Sequence, residues 1–204
     1  IMSLKGQVNT LHVALNGFTR VPAEIAREDW VVPWHVGHNM GDIGKFADVE
    51  CDAFISVDDD LVYPQTYVQD FRDAAKRHPN HVLTHHGNDC KGPTNSYFKM
   101  RYASERIQCL MKNDIDMILT IPGTGVTFFP GDVYAEFYSR LFDGWNHADL
   151  IVAKILQEME IPIRSVPHPK GYFTYIPSKN GASGWEQNSQ FDTKMTKIWN
   201  TLNL

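Results

Sequence analysis

Three consecutive carboxylates, Asp58, Asp59 and Asp60, directly follow a short apolar segment, residues 53–57. The segment is β-branched and aromatic and is too short for a helix, so it predicts a buried strand. Acidic side chains at the tip of a buried strand repel one another, and a bound cation relieves that repulsion. We therefore predict a divalent-metal site at the carboxyl end of this strand. The alternative is a solvated turn without a metal.

Two further segments have the composition of ligand-binding loops. Asp42 and Lys45 lie beside glycines in a segment that suits a loop leading into a helix, a place where phosphates are often held. Gly123, Thr124 and Gly125 lie between two predicted strands, and glycines there allow the backbone to approach a ligand closely. For Lys45, a solvated loop lysine is the alternative.

The elements that must position these residues follow from the hydrophobic periodicity. Strands alternate with helices, which predicts an α/β fold with a mainly parallel sheet flanked by helices and a small antiparallel element. In such folds ligands lie beyond the carboxyl ends of the strands. Leu150 begins a strongly periodic helix, so Asp149 is expected in its first turn or at its cap. Helical spacing is found at residues 65–78, 101–112, 150–160 and 191–204, and a strand is predicted over residues 116–122.

Length and composition restrict the class of protein. A chain of 204 residues, of which 43% are apolar, is predicted to form a single domain spanning residues 1–204. The net charge of −5 provides no basic surface for nucleic acid. Three widely spaced cysteines indicate a reducing compartment. No apolar segment approaches the ~18 residues of a membrane span. A cytoplasmic location is expected, with membrane association and oligomeric state left open.

The apolar strand that ends in Asp-x-Asp, with Asp58 and Asp60 as the outer pair, resembles the signature of GT-A-fold glycosyltransferases of the family 2-like type. Through the order and spacing of its features, the resemblance covers the chain from Val8 to about Phe173. It implies a Rossmann-like GT-A domain. Residues 1–7 have the pattern of a helix tail, so the first, nucleotide-binding strand is expected to be missing at a truncated N-terminus.

The resemblance also implies roles for individual residues. Asp58 and Asp60 are expected to bind Mn²⁺ or Mg²⁺, and His168, after the last predicted strand, to complete the metal shell. Asp149 is expected to be the general base, with Asp143 as the second candidate. Contacts to the nucleotide-diphosphate sugar are expected from Asp58, Asp59, Asp42, Lys45, Gly123, Thr124 and Gly125.

The function that follows is that of a metal-dependent glycosyltransferase of polysaccharide biosynthesis. It moves a sugar from a nucleotide-diphosphate sugar to a hydroxyl acceptor, expected to be a glycan, and inversion is expected. Retention stays open, as do the nucleotide, the sugar and the acceptor. One alternative is a nucleotidyltransferase, which has a similar α/β core. The other is a non-catalytic sugar-binding domain of a larger protein, with binding aromatics at Tyr97, Trp145, Tyr172 and Trp185.

Overall fold

A computed structural model describes residues 1–36, 40–141, 147–177 and 192–202, with only the backbone described for His35 and Val36. The strands of this part are β1 (Leu11–Asn16), β2 (Val31–Val36), β3 (Ala53–Val57), β4 (Leu61–Val62), β5 (Val82–Thr84), β6 (Gly87–Asp89), β7 (Glu105–Ile107), β8 (Ile118–Leu119), β9 (Ile121–Pro122), β10 (Val126–Pro130), β11 (Ile163–Ser165) and β12 (Thr174–Tyr175). The helices are α1 (Ala23–Ala26), α2 (Tyr67–Arg77), α3 (Tyr97–Ala103), α4 (Gly131–Ser139), α5 (Ala148–Glu158) and α6 (Asp192–Trp199). None of these helices has the length and apolarity that a bilayer crossing requires.

The central sheet has five strands in the order β3-β10-β5-β11-β8. Strands β3, β5 and β11 run in one direction, whereas β10 and β8 run in the other. The α/β class predicted from the sequence is confirmed, but the sheet is mixed. It is mixed because the chain turns back before β10, which is inserted antiparallel between β3 and β5.

Several chain segments meet at one edge of the central sheet. Val57, the last residue of β3, pairs with Val126, the first residue of β10. Thr84 ends β5 and pairs with Ser165, which ends β11. The acidic triplet, the glycine-flanked turn and the segments after β5 and β11 therefore leave the sheet on the same side.

Alternating side chains of β10 bind the two faces of the sheet to the helices. Phe128 packs on Phe71 of α2 with ring centroids 5.5 Å apart. Phe129 faces the other side and packs on Phe137 of α4 at 5.1 Å. All four rings are buried. A shift of β10 by one residue would exchange the two faces, so this packing fixes the register of the turn before it.

A separate parallel pair, β1 and β2, lies beside the central sheet. Strands β1 and β3 both line a cavity of about 1240 Å³. At the end of β1, the Asn16 amide donates to the Gly41 carbonyl at 2.8 Å and accepts from the Met40 N–H at 3.3 Å. These contacts hold the segment Gly41–Lys45, which follows β2 in the chain, at the end of β1.

Two sequence predictions of secondary structure are wrong. The helix predicted over residues 101–112 ends at Ala103, and Glu105–Ile107 forms β7, which pairs with β6. The strand predicted over residues 116–122 is divided into two short strands. β8 pairs with β11 in the central sheet, whereas β9 pairs with β6 in a different one. In both cases pairing with a distant strand overrides the local pattern.

Candidate functional site

The acidic triplet is in direct contact with Lys45. The Lys45 ammonium donates to Asp58 Oδ1 in an ion pair and lies 3.5 Å from the Thr124 hydroxyl. The Lys45 side chain is 19% exposed and that of Asp58 is 40% exposed. Burial alone lowers the pKa of Lys45, but the charge and hydrogen bond of Asp58 outweigh it, so that the pKa is raised. Lys45 is therefore a resident cation at this edge of the sheet.

A short 3₁₀ segment, Gly41–Lys45, positions this lysine. Gly41 begins it with φ of +64°, a left-handed conformation that glycine adopts without strain. Ile43 and Phe46 are each 1% exposed and anchor the segment in the core. The apolar anchors leave Lys45 directed toward the tip of β3.

The glycine-flanked turn packs closely on both sides. A Cβ at Gly125 would lie 1.9 Å from Asp58 Oδ2, and one at Gly123 would lie 2.8 Å from the His86 ring. The Tyr63 hydroxyl donates to the Gly125 carbonyl at 2.8 Å and accepts from the Asp58 N–H at 2.8 Å. The absence of a side chain at Gly125 therefore allows the turn to touch Asp58 at the tip of β3, and its absence at Gly123 allows the turn to touch His86.

Asp149 lies in the first turn of α5, as the sequence predicted. Its Oδ1 accepts from the Thr124 N–H at 3.0 Å and from the Thr124 hydroxyl at 2.9 Å. Its Oδ2 lies 3.4 Å from the guanidinium of Arg101, whose Nε donates to Asn88 Oδ1 at 2.9 Å. These contacts orient the Asp149 carboxylate over the turn.

Asp42 also reaches helix α5, although it comes from a distant part of the chain. Its Oδ2 accepts from the Ala148 N–H at 3.1 Å and so satisfies one of the free donors at the start of the helix. Burial, and then repulsion from Asp149, raises the pKa of Asp42 to about 6. Its side chain lines the cavity as well, and it links the Gly41–Lys45 segment to α5.

Four of the predicted site residues thus form one connected group. Asp58 contacts Lys45, Lys45 contacts Thr124, and Thr124 contacts Asp149. Four of the predicted residues line the cavity of about 1240 Å³: Asp42, Lys45, Asp58 and Asp59. A pocket with acids and a fixed lysine at its edge can hold a cation together with a phosphate-bearing ligand.

The other two acids of the triplet differ in environment. Asp59 is exposed to solvent. Burial, and then repulsion from Asp58 and Asp59, raises the pKa of Asp60. In the part of the chain that the structure describes, neither Asp59 nor Asp60 forms an ion pair, and the charge of Lys45 only partly offsets the repulsion at Asp60.

His168 lies at the same edge of the sheet but packs against other partners. Its Nδ1 is 3.3 Å from Nδ1 of His85 and 3.2 Å from the Val166 carbonyl. The ring also contacts Tyr172 and Phe173 and is only 5% exposed. No three His, Cys, Asp or Glu side chains among the described residues are grouped as metal ligands would be. The predicted trio of Asp58, Asp60 and His168 is therefore not assembled.

Sequence reasoning missed Arg101 and Tyr63, which hold Asp149 and the turn. Arg101 was assigned to a predicted helix. A charged side chain on the apolar face of that helix would have been the signal of a buried, paired arginine. His86 lies beside Gly123, and burial lowers its pKa to about 4. Tyr97, a candidate sugar-binding aromatic, is fully buried. Asp143, Trp145 and Trp185 lie outside the described residues.

Comparisons with known proteins add no family assignment. No protein-family model matches the chain, and no curated protein matches its sequence.

Acidification should destabilise the fold through His85. Burial, and then the charge of His168, lowers its pKa from 6.5 to about 3. The folded state therefore binds a proton less well than the unfolded state, so stability is complete above pH 6.5 and falls as the pH drops toward 3. Between about pH 7.5 and about pH 5, the loss of folding stability due to His85 is about 2 kcal/mol. Urea unfolding at both pH values measures this loss. Between the two pH values, the free energy of unfolding of His85→Gln should fall by about 2 kcal/mol less than that of the unaltered protein. Equal losses would contradict this role of His85.

The Thr124 hydroxyl should contribute measurably to stability, because it donates to Asp149 inside a partly buried network. Thr124→Val removes that donor and keeps the shape, and the expected loss is about 1–2 kcal/mol in the free energy of unfolding. Thr124→Ser is the matched control, because it keeps the hydroxyl and loses only a methyl group. Urea denaturation of the three proteins at neutral pH measures the difference. A Thr124→Val protein as stable as the unaltered protein would show that the hydroxyl contributes nothing to the free energy of unfolding.

Proposed function

We propose that the chain is a GT-A-type glycosyltransferase domain that transfers a sugar from a nucleotide-diphosphate sugar to a hydroxyl acceptor. The observation that supports this most is the contact series from Asp58 through Lys45 and Thr124 to Asp149. Stabilising a departing diphosphate and deprotonating a hydroxyl require a cation-binding acid and a base on the same side of one cavity. Asp58 lines the cavity, and Asp149 is joined to it through Lys45 and Thr124, although Asp149 itself does not line the cavity.

A bound Mn²⁺ or Mg²⁺ would supply positive charge to the departing diphosphate. We propose Asp60 as the main cation ligand, because it forms no ion pair in the described part of the chain and is partly buried beside Asp58 and Asp59, whose charges act on it more strongly than that of Lys45. We propose Asp58 and Asp59, which precede it in the chain, as further oxygen ligands; a cation would have to draw the three carboxylates together, because they are not grouped as metal ligands in the structure. His168 is left out of this proposed set, since its ring is engaged with His85.

Asp149 supplies the base in this proposal. Its Oδ1 is occupied by the two donors of Thr124, whereas Oδ2 contacts the Arg101 guanidinium at 3.4 Å, its partner among the described residues, and we assign proton uptake to this oxygen. The acceptor hydroxyl gives its proton to Oδ2 as its oxygen bonds to the anomeric carbon. The bond from that carbon to the diphosphate oxygen breaks, and its electron pair leaves with the nucleoside diphosphate.

Stabilisation by ligand provides the first test. Nucleoside diphosphates with Mn²⁺ should raise the melting temperature of the protein, because a ligand that binds only the folded state stabilises it by mass action. Either component alone should have a smaller effect. Asp60→Asn should lose the joint effect, and Asp114→Asn, at an exposed acid outside the site, should keep it. An Asp60→Asn variant that responds like the unaltered protein would refute the metal assignment.

Removal of the base provides the second test. Asp149→Asn keeps the size of the side chain and its acceptor oxygen, so Thr124 stays bonded, but it cannot take up a proton. Sugar transfer should fall by about 10²–10⁴-fold while nucleotide-dependent stabilisation is retained. The assay is release of nucleoside diphosphate from a panel of nucleotide sugars and glycan acceptors. Release of pyrophosphate would support a nucleotidyltransferase, and glycan binding without donor cleavage would support a sugar-binding domain.

A further inference from the structure

Lys45 and Asp58 are each other's main charge partner at the edge of the cavity. Asp58 is the largest favourable influence on the charge of Lys45, and Asp149 and Asp42 add smaller ones. The lysine is the more enclosed of the two, with 19% of its side chain exposed against 40% for Asp58. Both side chains line the cavity of about 1240 Å³ that the proposed donor would enter.

This pairing creates a competition at Asp58. A divalent cation that binds Asp58 must displace the Lys45 ammonium from Oδ1 or share that oxygen with it. The other oxygen, Oδ2, packs against Gly125 so closely that not even a Cβ fits there. Cation binding by itself therefore leaves an enclosed lysine without its partner, which is unfavourable.

The same competition acts on a diphosphate at Lys45. A phosphate that takes the ammonium leaves Asp58 unpaired next to Asp59 and Asp60, whose charges already repel it and each other. Either ligand alone thus breaks the ion pair and leaves one charge uncompensated. When both ligands are present, the cation pairs with Asp58 and the diphosphate pairs with Lys45, so both charges are satisfied.

We propose that the Lys45–Asp58 ion pair is exchanged for two new pairs on donor binding and thereby couples the binding of the divalent cation to that of the diphosphate. This inference rests on the proposed function and concerns the same site. The Thr124 hydroxyl, 3.5 Å from the ammonium, offers an acceptor that keeps Lys45 at the cavity when Asp58 is released. Because coupling free energies are reciprocal, each ligand must tighten the other by the same factor.

Lys45→Met tests the exchange, because the exchange predicts tighter binding of Mn²⁺ in this variant. A lysine that only binds the donor would leave the affinity for Mn²⁺ alone unchanged. Loss of the lysine frees Asp58, so Mn²⁺ alone should bind about tenfold more tightly than it binds the unaltered protein. Inorganic pyrophosphate in EDTA should bind about tenfold more weakly. Both affinities can be measured by isothermal titration calorimetry, independently of any sugar transfer.

Asp58→Asn should give the opposite pattern. Lys45 is then freed from its partner, so pyrophosphate in EDTA should bind about tenfold more tightly, while Mn²⁺ alone should bind more weakly. Because the two variants alter the site in opposite senses, either one that folds is sufficient for the test. The matched controls are Lys112→Met and Asp114→Asn, which break an exposed ion pair whose side chains are 61% and 69% exposed. Both controls should behave like the unaltered protein.

The outcomes separate this inference from the proposed function. The exchange is refuted if the unaltered protein binds nucleotide with Mn²⁺ but Lys45→Met and Asp58→Asn have the same Mn²⁺ and pyrophosphate affinities as their control variants. That result would leave the glycosyltransferase proposal standing. If no nucleoside diphosphate binds the unaltered protein in the presence of Mn²⁺, the proposed function is refuted and the exchange with it. Opposite shifts in the two variants, with nucleotide binding intact, are the expected result.

Discussion

The ion pair between Lys45 and Asp58 is the contact on which the arrangement of the site depends. It joins the Gly41–Lys45 segment to the tip of β3, two parts of the chain that no backbone pairing connects. Each charge is partly withdrawn from water and would be unfavourable there without the other. The pair therefore gives the edge of the cavity a defined geometry, and it makes that geometry responsive to any ligand that offers either group a better partner.

The turn at Thr124 extends this geometry from the strand tip to helix α5. Its flanking glycines allow contact with Asp58 on one side and His86 on the other, and its own donors hold Asp149. The arrangement is precise because small residues and short hydrogen bonds leave few alternative conformations. It also separates the acids by role: Asp58 pairs with a lysine, Asp149 is held by the donors of Thr124 and an arginine, and Asp60 forms no ion pair in the described part of the chain.

Features of the fold and site that depend on local pattern could be predicted from the sequence. The strand before the acidic triplet was evident from a β-branched apolar segment, and Asp149 in the first turn of α5 from helical periodicity. The predicted helix over residues 101–112 failed because its apolar spacing also suits a helix turn followed by a strand, and the partner strand β6 decides between them. Arg101 was missed for the same reason: its partners, Asn88 and Asp149, lie far away in the chain.

The sequence by itself determined that three acids end a strand, that a glycine-flanked threonine precedes β10, and that an aspartate lies in the first turn of a helix. It also predicted that this strand is buried, which is wrong, because in β3 only Ser56 is buried. It did not determine which charges meet. Only the tertiary structure placed Lys45 on Asp58 and turned His168 toward His85, away from the acidic triplet. The physical reason is that the pairing of charges depends on distance in space, which the order of strands in the sheet sets, whereas residue type and spacing along the chain specify only the elements that carry those charges.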